Sequence, residues 1–174
     1  TLPDGAGLRL AEVNTIVPGR KLVSALISAN YRIFYLGGQG GVAQAMAQKY
    51  GGKSDPGHKD IRSQMLDVRE NERIIKAVNA YRPDILLVAY GAPWQEKWLW
   101  DNRNRIKAKV AMGVGGTFDY LAGYAKLPPL WMENLGLEWL WRLMHEPWRW
   151  RRQLNLVKFV WLVLIDKLRA DDAS

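Results

Sequence analysis

Short apolar runs that stop at glycine alternate with stretches of helical period along most of this chain. Tyr31–Leu36 is followed by Gly37-Gly38-Gln39-Gly40-Gly41, Ile85–Tyr90 by Gly91, and Val110–Val114 by Gly115-Gly116. Each run is short, continuous and apolar, as a strand buried on both faces requires. Between them the spacing predicts helices over 21–30, with Leu22, Leu26 and Ile27 inward, and over 42–50. A third helix is expected over 67–81. Asp67 stands at its N-cap, Glu70 three residues on completes a capping box, Ile74, Ile75 and Val78 form its apolar stripe, and Pro83 stops it. A fourth covers 94–106. Gly51–Asp60, rich in Gly, Ser, Asp and Pro, reads as a loop.

Strands alternating with helices predict an α/β fold, a Rossmann-like parallel sheet flanked by helices. After Pro128-Pro129 the pattern is helical only. We therefore expect a core of residues 1–127 and a C-terminal helical, membrane-associating appendage of residues 128–174. In open sheets of this class ligands sit at the carboxyl ends of the strands. Gln95 and Glu96 follow one strand end, and Thr117 and Asp119 another, so both sets are candidates to face one crevice.

Composition narrows the function. The 174 residues include no cysteine, which excludes disulfides, thiolate nucleophiles and Cys-based zinc sites. The start, Thr1-Leu2-Pro3-Asp4-Gly5, has neither the basic nor the apolar region of a signal peptide. The net charge of +8 is concentrated late: Arg142–Arg169 holds seven Lys/Arg against Glu146 and Asp166. All nine tryptophans lie between Trp94 and Trp161. Tryptophan, arginine and aliphatic side chains together suit an anionic membrane surface. Phe159–Ile165 is far shorter than the roughly 20 residues that cross a bilayer. Nucleic acid is not expected as a partner, because the tryptophans fall at helical spacing among aliphatics rather than on a strand platform.

The candidate chemistry admits two readings at each position. Gly37–Gly41, between strand and helix, is a geometry that cradles phosphate, or a plain tight turn. It departs from G-x-G-x-x-G, since Ala43 or Gln44 stands where the third glycine belongs. Asp55 and Asp60, candidates for a ribose-binding acid, both fall in the expected loop. Asp4 in Pro3-Asp4-Gly5 is a turn residue or a functional carboxylate. Gln95 and Glu96 are polar residues opening a helix or pocket residues, and Asp119 caps a helix or faces the pocket. His58 and His145 are isolated and read as solvated. Arg142, Arg149 and Arg152 recur at seven and three residues, which on a continuous helix gives one face. Pro147 is expected to begin a second helix, so the alignment is approximate, and the arginines are lipid-facing or solvated, or a clamp on phosphates.

Six blocks carry a specific resemblance: Pro3-Asp4-Gly5-Ala6-Gly7, Leu36-Gly37-Gly38, Pro83-Asp84-Ile85, Gly91–Glu96, Gly113–Gly123 and Leu137–Arg149. In order and spacing they resemble the WecG/TagA/CpsF glycosyltransferases, family 26. The resemblance implies an inverting, UDP-sugar-dependent hexosyltransferase; the sequence has no D-x-D or H-x-x-E cluster to suggest a metal, so a metal-independent reaction with no cofactor is expected. Such an enzyme moves an N-acetylmannosamine-type sugar to an undecaprenyl-diphosphate-linked saccharide, as in wall teichoic acid or exopolysaccharide synthesis. It places Asp4 as general base, Gln95 and Asp119 in the pocket, and Arg142, Arg149 and Arg152 on the C-terminal segment. Gly37, Gly38 and Thr117 join the substrate-binding set. A peripheral location on the inner face of the bacterial membrane and a homo-oligomer accompany that reading. Three departures stand out. The stretch that members carry ahead of the Asp-Gly motif is not in this sequence, the Gly51–Leu66 loop is short, and Leu127-Pro128-Pro129 replaces Arg-Ala-Pro. The alternatives are a non-catalytic nucleotide-binding or membrane scaffold module and an NAD-dependent oxidoreductase, the latter lacking its third glycine.

Overall fold

A computed structural model describes residues 19–63, 67–129, 131, 132, 135 and 137–145, the side chains of 138, 139 and 142 excepted. They divide into a unit of residues 19–126 and a second unit from residue 127 onward. In the first, the order is α1 (Gly19–Ser28), β1 (Ile33–Gly37), α2 (Val42–Tyr50), β2 (Lys53–Asp55), α3 (Val68–Tyr81), β3 (Ile85–Ala89), α4 (Trp94–Asn102), β4 (Val110–Gly113) and α5 (Thr117–Leu121). The second contains α6 (Glu138–His145).

The four strands form one parallel sheet in the order β2-β1-β3-β4. Every residue of β1 and β3 is buried, which explains their unbroken apolar character. The two-residue alternation then sorts their side chains between two layers. Ile33, Tyr35, Ile85 and Leu87 pack with Val23 of α1, Val42 and Met46 of α2, and Phe118 of α5. Phe34, Leu36, Leu86 and Val88 pack with Ile74, Ile75 and Val78 of α3 and Trp98 of α4. The expected α/β architecture is therefore the observed one.

Local details differ from the pattern reading. The expected loop 51–60 contains β2, whose pairing puts Phe34 opposite Lys53 and Leu36 opposite Asp55. A three-residue edge strand with one buried position carries no apolar run for a sequence reading to find. The helix expected over 94–106 ends at Asn102, where the Asn102 carbonyl accepts from the Arg105 and Ile106 amides in a closing turn. In α1 the fully buried residue is Val23, with Leu26 and Ile27 partly buried beside it. Asp67 caps α3 as expected, accepting from the Arg69 and Glu70 amides. Glu70 does not reach back to close a capping box. Its carboxylate accepts from the Lys59 amide and faces His58 instead.

No helix among the described residues is long and apolar enough to cross a membrane. In the second unit Trp131, Leu135 and Met144 are exposed, and the exposed His145 donates from Nδ1 to the Trp141 carbonyl at 3.0 Å.

Candidate functional site

The chain goes from β1 to β2 on one side and then to β3 on the other. The order therefore reverses between β1 and β3, whose carboxyl ends open a crevice where such sheets take ligands. Three loops meet there. The first, Gly37–Gly41, has left-handed backbone at Gly37 (φ 86°) and Gly38 (φ 82°). A Cβ at Gly38 would lie 2.2 Å from Val42 Cγ1, so only glycine lets this turn fold onto the start of α2. The Gly38 amide donates to the Ala89 carbonyl at 3.1 Å, which ties the loop to β3. No side chain caps α2.

Gln95 joins the other two loops. It is only 6% exposed, and its Oε1 accepts from the Gly91 amide at 3.2 Å and the Gly115 amide at 2.9 Å. Its Nε2 donates to Glu96 Oε1 at 2.8 Å. One side chain thus links the loop after β3 to the loop after β4. Gly113 makes room for it: a Cβ there would sit 2.6 Å from Gln95 Nε2 and 2.7 Å from its Cδ.

Thr117 and Asp119 lie in α5, which starts where the Thr117 amide donates to the Val114 carbonyl. Gly116 holds the N-cap position, so Asp119 is inside the first turn and does not cap the helix. The Phe118 ring approaches Gly38, placing α5 beside the glycine loop. The structure therefore brings Gly37, Gly38, Gln95, Thr117 and Asp119 to one end of the sheet. Asp4, Arg149 and Arg152 lie outside the described residues, as does the Arg142 side chain on α6.

Two residues change character. Asp55 is not in a loop but ends β2, the place of a ribose-binding acid in dinucleotide folds. Its carboxylate instead accepts both guanidinium nitrogens of Arg73 and the Gly57 amide, an arrangement that leaves it committed within the protein. His58 is not solvated. Its side chain is 1% exposed, with Nε2 against Asn71 Oδ1 at 3.2 Å and Nδ1 3.3 Å from Glu70. Pattern reasoning also missed Tyr90, which packs under the glycine loop. Its place as the last residue before Gly91 was the available signal.

Among the described residues no group of three His, Asp or Glu could hold a metal ion. A groove of about 310 Å³, lined by Trp100, Arg103, Ile106 and Ala111 among others, lies along β4 and α4. It holds neither the glycine loop nor α5, and we place the site at the strand ends on topology.

The model of the glycosyl transferase WecG/TagA/CpsF family matches residues 1–173. The chain belongs to this family. It is 32% identical over 177 residues to the N-acetylglucosaminyldiphosphoundecaprenol N-acetyl-beta-D-mannosaminyltransferase of Bacillus subtilis (strain 168), covering 94% of this chain and 67% of the relative. It is 37% identical over 97 residues to a protein of the same name from Bacillus spizizenii, covering 56% of this chain and 38% of that relative.

Proposed function

We propose that this protein transfers an N-acetylmannosamine-type hexose from a UDP-sugar to an undecaprenyl-diphosphate-linked saccharide, with inversion and without a metal. The similarity to the B. subtilis mannosaminyltransferase along 94% of the chain carries the reading. The convergence of Gly37, Gly38, Gln95, Thr117 and Asp119 at the sheet's switch point supports it.

In the proposed mechanism Asp4 takes the proton from the acceptor hydroxyl as that oxygen attacks the anomeric carbon. The bond to the donor's phosphate oxygen breaks, and UDP leaves with the electron pair. Amides of the glycine loop and Arg142, Arg149 and Arg152 meet the developing charge, a role suited to preorganised donors and guanidinium forks. The tryptophan- and arginine-rich segment from residue 128 onward docks on the anionic inner leaflet, where the acceptor resides.

A screen of UDP-sugars against a short-chain N-acetylglucosaminyl-diphosphate lipid tests this directly. UDP-N-acetylmannosamine should be turned over, and turnover should persist in EDTA. Activity abolished by EDTA and restored by Mg²⁺ would refute metal independence. No turnover with any UDP-hexose would refute the donor class.

The clamp has its own test. A chain ending at Leu127 should keep the sheet, lose vesicle binding and lose turnover even on the short-chain acceptor. Retained turnover there would make the three arginines membrane anchors alone.

A further inference from the structure

Tyr90 ends the apolar run of β3 just before Gly91, and its ring is buried between two other loops. A Cβ at Gly37 would lie 2.7 Å from Tyr90 Cδ1 and Cε1. A Cβ at Gly57 would lie 2.4 Å from the hydroxyl and 2.5 Å from Cε1. Only glycine at both positions admits the ring, whose Cδ1–Cε1 edge and hydroxyl bear on the loop after β1 and the loop after β2. It belongs itself to the third loop, after β3.

The ring is held from behind. Its hydroxyl accepts from the His58 amide at 3.3 Å, and the His58 imidazole packs edge-on against it at 6.1 Å. Asn71 Oδ1 accepts from the Trp98 indole N–H at 2.8 Å, a group that can only donate. That fixes the orientation of the Asn71 amide, so His58 Nε2 donates to Oδ1 and Asn71 Nδ2 donates to Asn102 Oδ1. Glu70 faces His58 Nδ1 and also accepts from the Lys59 amide. The Trp98 ring meets the Tyr90 ring edge-on at 5.8 Å. The arrangement anchors one aromatic plane to α3 and α4 and aims it at the switch point.

We propose that Tyr90, backed by His58, is a positioning residue that sets the spacing of the switch-point loops for the donor's nucleoside diphosphate without touching it. The inference rests on the donor site proposed above. A diphosphate held by loop amides depends on the loops' separation, because a displacement of about 1 Å at a binding constellation is enough to weaken it. A flat ring fits against the two glycine backbones along one edge, whereas a branched aliphatic side chain does not reproduce that edge.

The test compares Tyr90→Phe, Tyr90→Leu and His58→Gln, with UDP affinity measured by calorimetry and donor and acceptor kinetics measured separately. Tyr90→Phe keeps the plane and should stay within about 3-fold of wild type in UDP Kd. Tyr90→Leu should raise UDP Kd and donor KM about 10-fold or more, with acceptor KM and kcat at saturating donor within about 3-fold. His58→Gln should raise UDP Kd about 3- to 10-fold, since it removes the imidazole but not the backbone N–H. If Tyr90→Leu does not fold, His58→Gln decides. A folded Tyr90→Leu or His58→Gln protein with wild-type UDP affinity overturns the proposal. Equal losses in kcat and donor affinity also overturn it, as a general structural defect. Wild-type protein that binds UDP but transfers no sugar refutes the transfer reading, and UDP affinity alone then judges Tyr90. Wild-type protein that binds no UDP refutes both.

Discussion

Replacing Asp4 with asparagine should lower turnover about 10²–10⁴-fold while leaving UDP affinity near that of the wild type. Asparagine matches aspartate in size and keeps a carbonyl acceptor, so orientation of the acceptor hydroxyl survives. It cannot take the proton. Asp4→Glu should recover part of the rate, because a longer carboxylate still accepts a proton from a displaced position. Single-turnover rates with donor pre-bound separate this from a binding defect. Near-normal turnover in Asp4→Asn would remove the residue from the mechanism.

What could be read from the sequence follows the range of the forces involved. The α3 helix was legible because its signals are local: Asp67 bonds to amides two and three residues on, and Ile74, Ile75 and Val78 share a face by period alone. Strands β1 and β3 were legible because both faces are covered, which leaves no polar position to interrupt the run. The polar loops were not legible in the same way. Lys53-Ser54-Asp55 becomes a strand only because β1 offers an edge, and Asp55 is buried only because Arg73, far along the chain, closes on it. His58 looks solvated in isolation. Its burial depends on Glu70 and Asn71 from α3 and on the ring of Tyr90. Glu70 shows the competition most clearly. The local capping rule assigns it to Asp67, and the tertiary contact with Lys59 and His58 wins. At the site, the six sequence blocks picked out Gln95 and Gly113, but not that each explains the other.

That pairing gives the second large effect, at Gly113. Gly113→Ala should destabilise the protein by about 1–3 kcal/mol, the usual range for forcing a group into a packed interior, and impair transfer as well. The added Cβ would lie 2.6–2.8 Å from Gln95 Nε2, Cδ and Cγ. An exposed glutamine would swing aside, but Gln95 is fixed by the Gly91 and Gly115 amides and by Glu96. Moving it frees two half-buried backbone donors at the carboxyl ends of β3 and β4, a loss that water offsets in part. The loops carrying Gly91 and Thr117 would then separate, so activity should fall even at temperatures where the protein stays folded. A double-mutant cycle isolates the cause. Gln95→Ala alone loses the same bonds without a clash, so Gly113→Ala added to Gln95→Ala should cost little. The double variant should be more stable than the sum of the singles by at least about 1 kcal/mol, within the range that contacting residues show. Denaturant unfolding of the four proteins measures that coupling. Additive effects would mean that Gly113 is required by its own backbone and not by the glutamine it accommodates.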